Sequence, residues 1–450
     1  MTKSQQGIYD ARSLGKGKML TLGLQHMFAM FGATVLVPVI TGLSMSATLL
    51  FAGLGTLIFH LLTKMRVPAF LGSSFAFLGG YAAVVALGAQ QGLTASESLP
   101  YACIGVFSAG ILYFVLAGFI AAFGAKKVMR FFPPIVTGPI IIAIGLTLSG
   151  SAIQNCNSNW WIALLAIGII IVCNIWGKGM VKIIPILLGV LGSYLVAACF
   201  GLCDFTAVKE AAWLGVPFQW KNTAFHVFSN PNWGLVVSAI IAIVPISLAT
   251  MMEHIGDMCA ISSTVGENYL ENPGLHRTLM GDGLATMLAS LFGAPANTTY
   301  GENTGVLNLT KVYDPRVIRI AALFAILLSF CPKFSALIAC MPASTIGGVS
   351  LVLYGMISAV GVRNVVENRV DFTKSRNVIV MALILVLAIG IKYGAGDAIN
   401  LGFTSLSGLA VAALVGVLLN AVLPGKDYEF GANPDADKAV NFEINPSLRK

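Results

Sequence analysis

Apolar stretches of about 20 residues follow one another along almost the whole chain, and each is long enough to cross a bilayer as a helix. Fourteen such segments can be placed, at 19–40, 45–63, 68–86, 101–124, 133–152, 160–176, 182–200, 233–256, 277–293, 298–311, 317–338, 344–361, 377–395 and 402–423. The third and the tenth break the pattern. Each opens with Pro-Ala and a run of small and polar residues, Pro68-Ala-Phe-Leu-Gly-Ser-Ser-Phe75 and Pro295-Ala-Asn-Thr-Thr-Tyr-Gly-Glu302, and has too little apolar length for a full crossing. Both are expected to be a short strand leading into a half-helix. Such backbone survives at bilayer depth only where protein or water satisfies it.

The broken segments occupy matching places in an internal repeat. Gln25-His26 precedes Ser73 by 48 residues, and Glu253-His254 precedes Gly301 by 48. Farther on, Phe132-Pro-Pro-Ile-Val-Thr-Gly138 echoes Met341-Pro-Ala-Ser-Thr-Ile-Gly347. Seven segments per copy is an odd number, so the second copy must lie inverted, the architecture of secondary transporters. The pattern predicts an all-α polytopic membrane protein of 14 transmembrane segments, built as two inverted 7-segment repeats with two short strands at broken segments 3 and 10.

Composition agrees with the membrane reading: of 450 residues 57% are hydrophobic and 10% charged. Charge distribution adds an orientation. With the N-terminus inside, all but four of the 27 Lys and Arg fall on the cytoplasmic side, the exceptions being Lys209, Lys221, Lys333 and Lys392. That bias predicts both termini in the cytoplasm. The net charge of +8 then reflects loops beside anionic membrane lipid and not nucleic acid, because no soluble basic domain exists to bind it. The first apolar stretch runs past signal-peptide length without a cleavage site and is expected to be retained. The eight cysteines show no metal-ligand spacing and read as small buried apolar residues. The sequons at Asn297 and Asn308 fall at membrane depth and are discounted.

Ionisable groups at bilayer depth mark a substrate or ion path by default. Four acids lie in or near apolar segments: Glu253, Asp257, Asp282 and Glu302. Glu253 and Asp257 are four apart and share a helix face, with a connection expected from 258 to 276. Glu302 opens a half-helix, where free backbone N–H groups and the dipole favour negative charge. Carboxylate acceptors beside backbone donors suit a flat neutral ligand such as a cyclic imide or amide. A bare anion would call for Arg or Lys, and no span interior contains one. Phe75 and Tyr300, each in a broken segment, can stack on a planar ligand, and Tyr354 lies in the twelfth segment. His26 and His254 read as hydrogen-bonded residues that tie helices behind the site. Asp257 is placed either to exchange a coupling proton or to end its helix in water; Asp282 reads as structural. No Ser/His or metal-ligand constellation suggests an enzyme.

At these residues the sequence resembles the nucleobase–ascorbate transporter family. The family signature of Gln, Glu or Pro, then Asn, any residue, Gly, four of any, Thr and a basic or small residue is met by Glu302-Asn-Thr-Gly305 and Thr310-Lys311; the family's Gln-His pair is met by Gln25-His26. Leu71-Gly-Ser-Ser-Phe-Ala-Phe77 and Asn297-Thr-Thr-Tyr-Gly-Glu-Asn303 are similar to its uracil-transporting members. The resemblance implies core-domain pieces at 1–124 and 233–340, gate-domain pieces at 125–232 and 341–424, and a cytoplasmic tail at 425–450. It also implies proton-coupled uracil import across a bacterial plasma membrane, with no cofactor or metal, by a homodimer joined through the gate domain. By this resemblance the side chains of Glu253 and Glu302 accept ring N–H bonds and backbone N–H groups at Phe75 and Gly301 reach ring carbonyls. Tyr300 lies beside the ring; Glu253 or Asp257 carries the proton; His26, His254, Asn303 and Tyr354 support the site. One position departs, since Asp257 stands where a well-known uracil transporter of the family carries His. A purine base such as xanthine or a wider pyrimidine range is the near alternative, and an anion transporter of the same architecture a more distant one.

Overall fold

The computed structural model describes residues 7–229, 231–396, 398–400, 405–425 and 428, with the Glu302 side chain outside the description. Apart from Gly425 and Tyr428, the expected tail at 425–450 therefore lies outside the described residues. The chain opens with α1 (Lys16–Thr41), α2 (Met45–Leu62), β1 (Leu71–Ser73), α3 (Leu78–Ala89) and α4 (Ala95–Phe123). There follow α5 (Ala125–Met129), α6 (Pro134–Cys156), α7 (Trp160–Ile175), α8 (Met180–Ile183), α9 (Pro185–Cys199) and α10 (Thr206–Glu210). A second series begins with α11 (Trp233–Ile243), α12 (Ser247–Val265), α13 (Leu275–Leu291), β2 (Asn297–Thr299) and α14 (Gly301–Thr310). It continues through α15 (Pro315–Ser329), α16 (Pro332–Ala339), α17 (Ala343–Glu367), α18 (Ser375–Gly394), β3 (Ala398–Asn400), β4 (Ser405–Ser407) and α19 (Gly408–Val422).

Local chemistry sets many of these boundaries. Gly42 ends α1 in the left-handed region at φ 82°, and the Ser44 side chain caps α2 by accepting from the Ala47 N–H. Thr94 and Glu97 form a reciprocal capping box at the start of α4. Proline occupies the first turn of α6, α9, α15 and α16, where its missing N–H removes no helical bond. Among the described residues, seven helical stretches are long and apolar enough to cross a membrane, or eight if α15 and α16, bent by 87° to each other, count as one. The shorter apolar helices are α3, α7, α9 and α19.

Three details differ from the sequence expectation. The eighth segment does not end at 256: α12 runs on to Val265 because Met258, Ile261 and Val265 bury their side chains against Tyr269, Leu275 and Leu279. Asp257 is thus mid-helix, not a helix-end acid. The eleventh segment is not one rod, since the chain turns through Phe330 and Cys331 before Pro332 starts α16. The fourteenth begins at Gly408, behind a two-stranded ribbon of β3 and β4 that the polar pattern does not signal.

In the packing, α13 lies against α2 and α4, α15 against α1 and α2, and α17 against α6 and α7. The α6–α17 contact is an extensive one in which glycines let the backbones approach. A Cβ on Gly361 would stand 2.6 Å from the Gly138 carbonyl, and Gly145 has no room for one against the Tyr354 carbonyl. One continuous buried cluster runs from Met30 and Phe31 through Phe75, Tyr81 and Tyr300 to Tyr354.

Candidate functional site

The site is organised by β1 and β2, which pair antiparallel with Leu71 opposite Thr299, Gly72 opposite Thr298 and Ser73 opposite Asn297. A two-stranded ribbon buried at this depth must find partners for its outer backbone groups. Polar side chains of the surrounding helices supply them. Thr56 of α2 accepts from the Leu71 N–H at 2.9 Å, and Thr286 of α13 donates to the Asn297 carbonyl at 2.8 Å. Ser73 Oγ donates to the Thr34 carbonyl of α1 at 2.8 Å, and Asn297 Nδ2 donates to the Phe51 carbonyl at 2.8 Å. Tyr81 of α3 accepts from the Ala296 N–H at 3.1 Å.

Tyr300 closes the ribbon. Its N–H donates to the Phe70 carbonyl at 3.1 Å, and its hydroxyl donates to the Ser73 carbonyl at 2.9 Å while accepting from Thr34 Oγ1 at 3.2 Å. The ring lies so close over β1 that a Cβ on Gly72 would be 2.5 Å from Tyr300 Cε2 and 2.7 Å from Thr34 Oγ1. Glycine is required there by close approach. Immediately beyond, α14 begins at Gly301 with no side-chain cap, and α3 likewise begins uncapped after Phe77. Each start leaves first-turn N–H groups for a ligand or water.

Asp257 of α12 faces this point. Asp257 Oδ2 accepts from Thr299 Oγ1 at 2.7 Å, and its Oδ1 would be 3.8 Å from a Cβ on Gly301. Glu253 lies one turn earlier on the same face, partly buried like Asp257. Glu302 is the second residue of α14, adjacent to Gly301; its side chain is outside the described atoms. His26 and Asn303 meet across α1 and α14: Asn303 Nδ2 lies 3.2 Å from the His26 carbonyl and 3.3 Å from His26 Nδ1, both residues being buried. His254 Nδ1 lies 3.2 Å from Asp282 Oδ2, and both side chains are fully enclosed, joining α12 to α13. Phe75 and Tyr354 pack edge to face at 5.7 Å. Beside Phe75 lies a small open cleft lined by Ala76, Gly79, Thr147, Lys392, Ser407 and Leu409.

Asp257 and Tyr300 adjoin the ribbon, Phe75 follows β1 and packs on Tyr354, and the His26–Asn303 and His254–Asp282 pairs join neighbouring helices. Sequence reasoning missed Thr34 and Thr299. Thr34 is one hydroxyl in an apolar helix and carries no pattern. Thr299 stood out only as part of a discounted sequon. What the arrangement offers is the Asp257 carboxylate beside the uncapped N–H donors at the start of α14, with the Tyr300 ring alongside.

The chain is similar to known proteins over nearly all of its length. A profile described as a permease family matches residues 17–396. The uracil permease of Bacillus caldolyticus is 42% identical over 438 residues, covering 95% of this chain and 96% of that protein. The uracil permease of Bacillus subtilis is 39% identical, covering 90% and 92%. Among solved structures, the transmembrane domain of the cyanobacterial bicarbonate transporter BicA has a TM-score of 0.58 at 15% identity, covering 92% of this chain and 99% of that one. SLC26A9 has a TM-score of 0.62 at 11% identity, covering 90% and 66%. At such identities the two structures speak for the fold, and the sequence relatives for the family. A helical membrane protein whose broken segments pair at a ribbon, and whose sequence follows uracil permeases from end to end, belongs to the permease family.

Proposed function

We propose that this protein imports uracil across the bacterial plasma membrane, coupled to proton entry. The observation that carries the reading is the approach of Asp257, with Glu253 one turn away, to the uncapped start of α14 at Gly301. A uracil ring presents two N–H donors and two carbonyl acceptors in one plane. Carboxylates at Glu253 and Glu302 accept from the ring without offering a donor, and backbone N–H groups at Phe75 and Gly301 serve its carbonyls. Tyr300 and Phe75 flank the ring; His26, Asn303, His254 and Tyr354 hold the helices behind them. In this reading the 14 segments form two inverted repeats whose strands meet at β1 and β2. Core pieces at 1–124 and 233–340 move against gate pieces at 125–232 and 341–424, both termini face the cytoplasm, and two copies associate through the gate.

Uptake of radiolabelled uracil into cells expressing the protein, with thymine and xanthine as competitors, tests the substrate. Strong competition by xanthine would move the assignment to purines. Glu302→Gln replaces an acceptor with a group that also donates, and uracil uptake is expected to fall by about two orders of magnitude with membrane insertion unchanged. Unaltered uptake removes Glu302 from the site. For coupling, Asp257→Asn is expected to abolish the rise of uracil accumulation at acidic external pH. A variant that still concentrates uracil along a proton gradient leaves Glu253 as the coupling acid.

A further inference from the structure

Residues 7–15 lie across the far ends of the two helices that carry the site acids. Ile8 pairs with the chain just beyond α14 as a parallel bridge to Val312. Its N–H donates to the Lys311 carbonyl at 2.8 Å, and its carbonyl accepts from the Tyr313 N–H at 2.8 Å. The Tyr9 hydroxyl donates to the carbonyl of Val265, the last residue of α12, at 2.6 Å. That carbonyl is one of the four that a helix end leaves unpaired within itself. The Ala11 N–H donates to Asp314 Oδ2 at 2.8 Å, and Asp10 pairs with Arg316 at 2.9 Å, at the start of α15. The rings of Tyr9 and Tyr313 pack at 5.4 Å.

We infer that Tyr9 and the Ile8 bridge are positioning residues for substrate binding: they lock the far ends of α12 and α14 together and so keep Asp257 and Glu253 in register with the start of α14. This rests on the uracil reading above. The reason is mechanical. α14 has 10 residues, about 15 Å of stiff helix, so a shift at Lys311 is transmitted to Gly301. Val265 lies eight residues beyond Asp257 on α12. At the site end α12 is joined to β2, the strand leading into α14, by the hydrogen bond from Thr299 to Asp257. The arm supplies the anchor at the opposite end; with it removed the far end of α14 can swing about its start, which the Thr299–Asp257 bond and the Asn303–His26 contact hold. Hydrogen bonding from Arg12 holds the Asp10 carboxyl well below the usual carboxylate range, so the tie to Arg316 persists through the pH range of an uptake assay.

The test uses full-length purified protein in three forms: wild type, Tyr9→Phe, and Ile8→Pro, which removes the bridging N–H. Equilibrium uracil binding, thermal unfolding without uracil, and hydrogen exchange along α14 are measured on each. Tyr9→Phe is expected to raise the Kd about five-fold, the effect of one hydrogen bond. It should also speed exchange of the hydrogen-bonded amides of α14, from Gly305 to Thr310, while the unfolding temperature stays within about 3 °C of wild type. A lowered unfolding temperature with unchanged Kd and unchanged α14 exchange makes the arm merely structural and overturns the inference. If wild type fails to bind uracil, the substrate reading is what fails. The arm's role is then decided by exchange at α14 alone, where no change on Tyr9→Phe refutes it. Should Ile8→Pro not fold, Tyr9→Phe, which keeps the ring, carries the result.

Discussion

Thr299 and Asp257 show how little slack a side chain has at this depth. Their 2.7 Å hydrogen bond fixes one carboxylate oxygen and leaves the other directed at Gly301. Thr299→Val keeps the shape and removes the donor; uracil uptake is expected to fall about ten-fold, within the range for a hydrogen bond to a charged group. An initial-rate assay beside surface-expression measurement checks it, and an unchanged rate would separate Asp257 from the ribbon. His254 and Asp282 are a different case, enclosed on all sides. Removing one partner strands the other, so Asp282→Ala should lower stability by roughly 3–5 kcal/mol. A thermal melt of purified protein that moves little would show the pair to be dispensable. Gly72→Ala is expected to displace the Tyr300 ring, since no free volume exists for the added carbon.

At the scale of elements, two contacts matter most. The β1–β2 ribbon welds α1, α2, α3 and α13 to one point: Thr56, Tyr81 and Thr286 offer side chains to the backbone of the strands and of Ala296 just before β2, and α1 offers the Thr34 carbonyl to Ser73 Oγ. The α6–α17 crossing is glycine against backbone, with Gly138 and Gly361 facing each other. In lipid, where apolar surfaces gain little from meeting, such close packing is the main source of helix association. Gly361→Leu would force the two helices apart. The expected outcome is loss of folded protein in detergent size-exclusion chromatography, with Gly355→Leu as a control because nothing stands within 4 Å of its Cβ position.

Over the whole molecule the hydropathy pattern and the charge bias make a joint claim about orientation. In a cysteine-free background, cysteines placed at Lys209 and at Lys127 are expected to react on opposite sides. A membrane-impermeant maleimide should label the first in intact spheroplasts and the second only after lysis. Labelling of both, or the reverse order, would contradict cytoplasmic termini. The helices that built this expectation were legible because a bilayer demands a run of apolar residues of fixed length, a demand written locally in the chain. The 87° bend at Pro332 was not: Pro332-Lys333 interrupts the eleventh apolar run, but a proline does not by itself set whether a helix kinks or turns back. Nor was the extension of α12 to Val265, which depends on burial against residues of the following turn and helix.

What this sequence determined alone is which stretches are apolar enough for a bilayer, that the third and tenth are broken, and which polar residues sit at those two breaks, because the penalty for an exposed peptide or charge in hydrocarbon is felt residue by residue. Which break pairs with which was decided by tertiary structure. Leu71 meets Thr299, His254 meets Asp282 and Tyr9 meets Val265, with as many as 256 residues between partners. Hydropathy carries no address: any apolar face suits lipid, and a lone Thr or Tyr gives no sign of the carbonyl or carboxylate it will find. Only the path of the folded helices brings donor to acceptor, and that path follows from close packing summed over the whole chain.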